Sequence, residues 1–315
     1  MSYLDMLISA LGQGTVYAPM ALGVFIAFNI LNTPDLTVDG SFVFGMTTCA
    51  LVTVAGHPVL ALFAGTLAGM LAGLATGLLQ TKLRINPILS GILTMTGLYT
   101  VNYFVLGGQS NLYLQSMKAN GNEALVPVAS RTVYKMFAIV GNTDLSGLIL
   151  STLIAALCVV ILAVFFKTRP GIAIRATGDN EEMVRSSSIN GDMTRCVGIM
   201  LANGLVALSG AMLCQQQRYA DLGNGSGMLV VGLASVIIGQ AIFGRRGVTL
   251  GLVSAVVGSE LYRIILQLAY QIDMPSYMVK LLSALIVTIA LALPLLKGKS
   301  AAWNIRRSEE RRSSR

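Results

Sequence analysis

Long apolar runs divided by short polar ones set the pattern of this chain. Uncharged stretches occupy Met6 to Pro34, Gly40 to Thr81, Ile85 to Met117, Leu145 to Phe166, Val197 to Gln217 and Ser226 to Gly244. Gly247 to Ser259, extended through Glu260 and Arg263, and Leu281 to Leu296 complete the series. A bilayer crossing takes roughly 20 apolar residues, and Gly40 to Thr81 has room for two. The pattern predicts an all-α, polytopic protein with about nine crossings, within a range of about 8–10. One transmembrane domain covers 1–296, with a polar loop at 167–195, and a basic tail covers 297–315.

Two runs are interrupted. In NTPDLTVDGSF, Asn32 to Phe42, Pro34 stops the first span and Asp39 is placed to cap a helix starting at Ser41. QQQRYADLGNGSG, Gln215 to Gly227, again sets an acidic residue before glycines, a serine and a new apolar helix. Broken helices at matching places are a sequence sign of a transport path at a repeat interface. Asp35, Thr37, Asp39 and Ser41, with Ser90, Thr94 and Thr96 of SGILTMTGLY, are therefore the candidates for a translocation path. Turn, cap and mutual hydrogen bonding are the alternative roles. Both aspartates are expected near the basic, cytoplasmic end of the first hairpin.

Gly65, Gly69, Gly73 and Gly77 recur every four residues, which lines one helix face with hydrogens and predicts a close helix crossing. Gly251, Ala255 and Ser259 repeat the device more loosely, and Glu260 and Arg263 one turn later are expected to form a structural ion pair, with a substrate contact as the alternative.

The polar segment Phe166 to Asp192, FKTRPGIAIRATGDNEEMVRSSSINGD, reads as a capped short helix. Asp179 or Asn180 can cap it, Glu182 follows Asp179 at capping-box spacing, and Glu181 and Glu182 suit the positive end of the helix dipole. Gly191 stands where a left-handed terminating residue is expected. Such a helix, with no part of its own chain evidently beside it, suits a partner protein; a solvated connecting loop is the alternative. Met183 and its neighbours are the expected contact face, since water least explains an exposed apolar residue.

Composition agrees with the spans. The 315 residues are 54% hydrophobic and 11% charged, with a mean hydropathy of +0.72, far from the roughly 25% charge of soluble domains. The net charge of +8 does not point to nucleic acid, because most Lys and Arg fall into four clusters. These are Lys82 and Arg84; Lys167, Arg169, Arg175, Arg185 and Arg195; Arg245 and Arg246; and Lys297, Lys299, Arg306, Arg307, Arg311, Arg312 and Arg315. Alternating span boundaries place all four on one side, cytoplasmic by the positive-inside rule, so the N-terminus is expected outside and the tail, with Trp303, inside against anionic lipid. The segment Gly107 to Asp144 is the only long outer connection, a lid or docking surface on one reading and a plain loop on the other. MSYLDMLISALGQG lacks the basic start and cleavage site of a signal peptide and reads as the first span.

Cys49, Cys158, Cys196 and Cys214 lack metal or redox spacing, and His57 sits in a Gly-His-Pro turn. No GxxxxGK[ST], GxGxxG or HExxH pattern is present. Neither an enzyme nor a cofactor of its own is expected.

Thr168-Arg169-Pro170-Gly171, Arg175-Ala176, Gly178-Asp179-Asn180-Glu181 and Ser188-Ile189-Asn190, followed by LVALSGAM and GLASVIIGQAIFG, resemble permease subunits of bacterial ABC importers in the branched-chain amino acid and ribose permease branch. Ser188 and Gln240 stand where those relatives commonly carry glycine. PDLTVDGSF and NPILSGILTMTGLY resemble a subgroup associated with aromatic amino acids, chiefly tryptophan. The resemblance implies a type II-like fold in the bacterial inner membrane and a homodimer of permeases. It implies as partners two cytosolic ATPase subunits, which hold ATP and Mg, and an extracytoplasmic solute-binding protein. It makes the Asp179 to Ile189 helix the coupling helix, with Gly178, Asp179, Asn180, Glu181, Glu182, Met183, Arg185 and Ile189 as coupling residues. A secondary transporter driven by ion gradients, and an importer of sugars or nucleosides, are the alternatives.

Overall fold

The structure is a computed structural model describing residues 3–114, 117–118, 125–126, 132–136, 143–244, 247–271, 278 and 281–288. Helix α1 (Tyr3–Phe25) passes through Pro19 and ends in a single π-helical turn, Ile26–Ile30, closed by a Leu31 N–H donating to the Ile26 carbonyl at 2.9 Å. Helices α2 (Val38–Val54), α3 (Pro58–Thr81) and α4 (Pro87–Val105) follow. Pro58 and Pro87 open α3 and α4, where a helix needs no N–H, and the Asn86 side chain accepts from Ile88 N at 3.0 Å.

Short strands β1 (Asn111–Tyr113), β2 (Met117–Lys118) and β3 (Leu125–Val126) and one turn of helix, α5 (Val133–Met136), precede α6 (Thr143–Phe165). Then come α7 (Arg169–Asp179), α8 (Glu181–Ser186), α9 (Gly191–Gln217), β4 (Tyr219–Asp221), a 3-10 turn (Leu222–Gly225), α10 (Met228–Phe243) and α11 (Val248–Gln271). The all-α expectation holds for every spanning element. Two small antiparallel pairings, β1 with β4 and β2 with β3, are added, the first joining Gly107 to Asp144 to the second interrupted region.

Among the described residues seven helices are long and apolar enough to cross a membrane, and α2 is a shorter apolar eighth. The second half of the expected ninth crossing, Leu281 to Leu296, lies outside the described residues, as do Arg245, Arg246 and the 297–315 tail. The first span is 83% buried and α9 72%, against 22% for both α4 and α6. The first span and α9, with α2, 11 of whose 17 residues are buried, are thus wrapped by outer helices, whose exposed apolar side chains suit a bilayer, where lipid tails are as apolar as leucine.

The most extensive crossing is α3 on α9. A Cβ built on Gly69 would stand 2.5 Å from the Asn203 carbonyl oxygen, one on Gly73 2.6 Å from that of Ile199, and one on Gly77 3.0 Å from Cys196 Cα. Gly65 lies in the same row, against the Gly45 carbonyl and Ala211. Leu60, Phe63, Leu67 and Leu71 are 59–65% exposed on α3. One helix thus carries a backbone-contact face and a lipid-suited face.

Helix α11 packs against α1 and α10, with Ser259 Oγ donating to the Gly14 carbonyl at 3.1 Å. The expected Glu260–Arg263 pair is not formed. Arg263 instead lies over the Tyr17 ring, 3.6 Å from guanidinium carbon to centroid, and Tyr17 stacks on Phe42. A ring face offers a cation an electrostatic partner without a second charge to desolvate, and here α1 presents one.

Candidate functional site

The residues following α1 turn back into the protein. Asn32 and Leu31 are held at the α7–α9 end, where Asn32 Nδ2 donates to the Gly178 carbonyl at 3.0 Å and Leu31 packs on Gly198. Asp35 is fully buried beside α9. Its Oδ2 accepts from Asn203 Nδ2 at 2.7 Å and its Oδ1 from Thr37 N at 2.9 Å. Asn203 is the thirteenth residue of α9, about 18 Å along the axis from Gly191, which puts Asp35 deep in the spanning region.

Thr37 and Thr76 share a hydroxyl hydrogen bond of 2.9 Å, and Ser41 Oγ donates to Asn203 Oδ1 at 2.6 Å. Asn203 thus joins both sides of the first interruption to α9, using carbonyl and amide of one side chain. The expectation that Asp35 and Asp39 lie near the basic end of the hairpin is corrected, because the 33–37 backbone climbs inward before α2 begins.

Asp39 does not cap its own helix. It lies within the first turn of α2 and accepts from Gly227 N at 3.0 Å and Leu229 N at 2.8 Å, so it caps α10 from a distance of 188 residues in sequence for the Gly227 bond. Gly225 makes this approach possible, since a Cβ there would lie 2.5 Å from the Asp39 carbonyl. The two interrupted regions are therefore in contact. From this cap α10 runs 16 residues, about 24 Å, to the turn at Gly244.

Beside the cap is a cavity of about 510 Å³ lined by Asp39, Met95, Thr96, Tyr99, Asn102 and Asp221 among others. Its polar groups are held from outside: Asn102 Oδ1 accepts from Thr47 Oγ1 at 3.3 Å, and Asp221 Oδ1 accepts from Gly223 N at 2.7 Å. Of the candidate path residues the structure brings Asp39 and Thr96 to this cavity. Asp35, Thr37 and Ser41 are fully buried in the network behind it. Ser90, Thr94 and Thr96 donate their hydroxyls to carbonyls of α4 itself. Asn203, Tyr99 and Asp221 were missed from the candidate set. A lone asparagine midway along an apolar run, and the acidic residue of the second interruption, were the signals available for two of them.

At the other end, the helix expected over Asp179 to Ile189 is the shorter α8, and a second helix, α7, stands before it. Pro170 starts α7 in its first turn, and Asn180, extended at φ −157°, ends it and caps α8 by accepting from Met183 N at 3.1 Å. Gly178 and Asp179 belong to α7. Gly178 is pressed against the Ile30 carbonyl, so this segment does rest on its own chain. Gly191 does not terminate a helix but opens α9; Ser188 takes the left-handed conformation, φ +61°, one position that glycine suits better.

Glu181 is the fastener of the segment: its two oxygens meet Arg185 at 2.8 Å and Arg195 at 2.6 Å, and Arg185 also reaches Asp192 at 3.2 Å. Val184 is buried, whereas Met183 is 62% exposed and Ile189 39%. Val184 and Glu181 are turned to the chain, whereas Met183 stands outward beside the exposed Glu182.

Residues 6–291 match the family described as the branched-chain amino acid transport system / permease component. The chain belongs to that permease family. This permease is 34% identical, over 91% of its length and 90% of the relative's, to a tyrosine transport system permease protein of Clostridioides difficile (strain R20291). An uncharacterized protein of Rickettsia prowazekii (strain Madrid E), RP368, is 30% identical over 76% of the permease and 79% of that chain. The nucleoside ABC transporter permease protein NupC of Lactococcus lactis subsp. cremoris (strain MG1363) is 28% identical over 65% and 62%. In fold the permease is similar to PsaBC from Streptococcus pneumoniae, solved in complex with a Fab, at a TM-score of 0.50 and 14% identity over 91% of the permease and 90% of that chain. It is a multi-pass membrane protein of the permease class.

Proposed function

We propose that this permease is the membrane subunit of an ATP-driven importer of amino acids, of the aromatic, tyrosine-like class. It works as a homodimer with two cytosolic ATPase subunits, which hold ATP and Mg, and receives solute from an extracytoplasmic binding protein. The N-terminus is outside, and the α7–α9 segment and basic tail face the cytoplasm of a bacterial inner membrane. The observation carrying the coupling role is α8 itself: a capped helix, braced by Glu181 on Arg195, that leaves Met183 outward. ATP-driven closure of the partner pair acts on that edge and shifts the spans between outward-open and inward-open states, which requires the partner to bind the two states differently.

The solute side rests on the cavity beside Asp39. Carboxylates of Asp39 and Asp221 offer an ammonium group charge-assisted partners, and Tyr99 offers an aromatic side chain a ring. Nucleosides are the second reading, favoured by the Lactococcus relative, and lack the ammonium group. The tests are uptake by cells or proteoliposomes carrying the whole transporter. Labelled tyrosine and tryptophan are expected to enter with ATP, and Asp221→Asn to raise the half-saturating concentration about tenfold. Uptake of uridine but no amino acid refutes the solute assignment; uptake without ATP that an uncoupler abolishes refutes the ATP-driven reading.

A further inference from the structure

A second cavity, of about 320 Å³, opens at the opposite end of the bundle from the Asp39 cap. It is an open pocket bordered by the π-helical turn of α1, by α7, by Gly244 and by the start of α11, and its lining includes Phe25, Asn29 and the solvent-exposed Arg175 and Asp179. Arg175 and Asp179 are one turn apart on α7, the spacing at which opposite charges join on a helix. Glu181 and Arg185 do so at 2.8 Å, but Arg175 and Asp179 form no ion pair with each other or with any described residue. Asn29 makes no side-chain hydrogen bond to a described residue either, and it stands in the π-helical turn of α1, a distortion frequent at functional sites. Phe25 contributes an aromatic wall, packed tightly enough under Gly251 that a Cβ there would stand 2.8 Å from its Cε2.

An unpaired guanidinium, an unpaired carboxylate, a neutral amide and a ring around one small cavity match the groups of an α-amino acid. We infer that this cavity binds the transported amino acid from the α7 side, as a site separate from the Asp39 cavity. Arg175 takes the ligand carboxylate, Asp179 its ammonium group, and Phe25 its side chain. Because α7 passes into α8 through Asn180 alone and Gly178 abuts the Ile30 carbonyl, an occupant pins α7 to α1 and restrains α8. Accumulated product would thereby slow further import. The inference rests on the amino-acid reading proposed above.

The binding test uses the full chain in nanodiscs and equilibrium dialysis with labelled L-tyrosine, competed by tyramine, which lacks the carboxylate, and 3-(4-hydroxyphenyl)propionate, which lacks the amine. In an Asp221→Asn background, which weakens the Asp39 cavity, Arg175→Gln and Asp179→Asn are each expected to weaken the remaining L-tyrosine binding at least tenfold, and each analogue to compete at least tenfold more weakly than L-tyrosine. Binding lost in Asp221→Asn but unchanged in Arg175→Gln and Asp179→Asn, equal competition by tyramine, or no saturable binding overturns the site. In the assembled transporter, L-tyrosine preloaded on the α7 side is expected to slow uptake, and Arg175→Gln to abolish the slowing. Amino-acid uptake that preloading never slows overturns this inference while leaving the proposed function standing. Uptake of nucleosides alone overturns that function, whatever the dialysis shows.

Discussion

Adding one methyl group at Gly69 tests the central packing argument. In Gly69→Ala the new Cβ would collide with Ala207 Cβ and stand 2.5 Å from the Asn203 carbonyl oxygen, where ordinary contact is 3.4–4 Å. Neither neighbour is the free end of a flexible side chain, so α3 and α9 must part by about 1 Å. Overpacking of a core costs about 1–3 kcal/mol, and a clash with backbone belongs at the upper end. Parting the helices at Asn203 also strains its hydrogen bonds to Asp35 and Ser41, each worth about 1 kcal/mol or somewhat more. A loss of about 3–4 kcal/mol is expected. Gly97→Ala is the control: nothing lies within 4 Å of the added Cβ, and removing a mid-helix glycine is expected to gain about 0.5–1 kcal/mol. Unfolding of purified protein in mixed micelles, titrated with denaturing detergent, measures both. If Gly69→Ala unfolds at the same detergent fraction as the wild type, the crossing is not the rigid contact described.

Three further outcomes follow from the same geometry. Asp39→Ala removes both acceptor oxygens from the α10 cap and is expected to lose about 2 kcal/mol, with Asp39→Asn recovering part of it, read by the same titration. Glu181→Gln, which weakens two ion pairs of partly exposed groups, is expected to cost no more than about 1 kcal/mol globally while raising hydrogen exchange across 181–195; unchanged exchange there refutes its fastening role. Ser188→Gly, at φ +61°, is expected to stabilise the α8–α9 turn by up to about 1 kcal/mol, visible as slower exchange, and a destabilised turn contradicts the reading.

Much of the site was legible only in pieces. The interruptions at Asn32 to Phe42 and Gln215 to Gly227 were visible as breaks in apolar runs, yet their union through Asp39 was not, because a helix cap supplied from another element leaves no local spacing. The polar loop offered Asp179 or Asn180 as its cap and a helix only from there on, so α7, which Pro170 starts, was not foreseen, and the left-handed terminating residue was expected at Gly191 although Ser188 bears it. Arg263 shows the same limit: an acidic residue one turn away suggests a partner, while the ring that takes the cation comes from α1.

By itself the sequence determined the spans, the backbone-contact face of α3 and the polar segment with a helix cap at Asp179 or Asn180, between which the structure chose Asn180. Each follows from local periodicity or from which side chains can satisfy a neighbouring backbone group. Only the tertiary structure decided that Asn203 binds Asp35 and Ser41, that Asp39 caps α10, and that Arg175 and Asp179 face a cavity unpaired. Those outcomes depend on which helix stands opposite, and inside a membrane protein a polar group takes whichever partner the packing brings within reach.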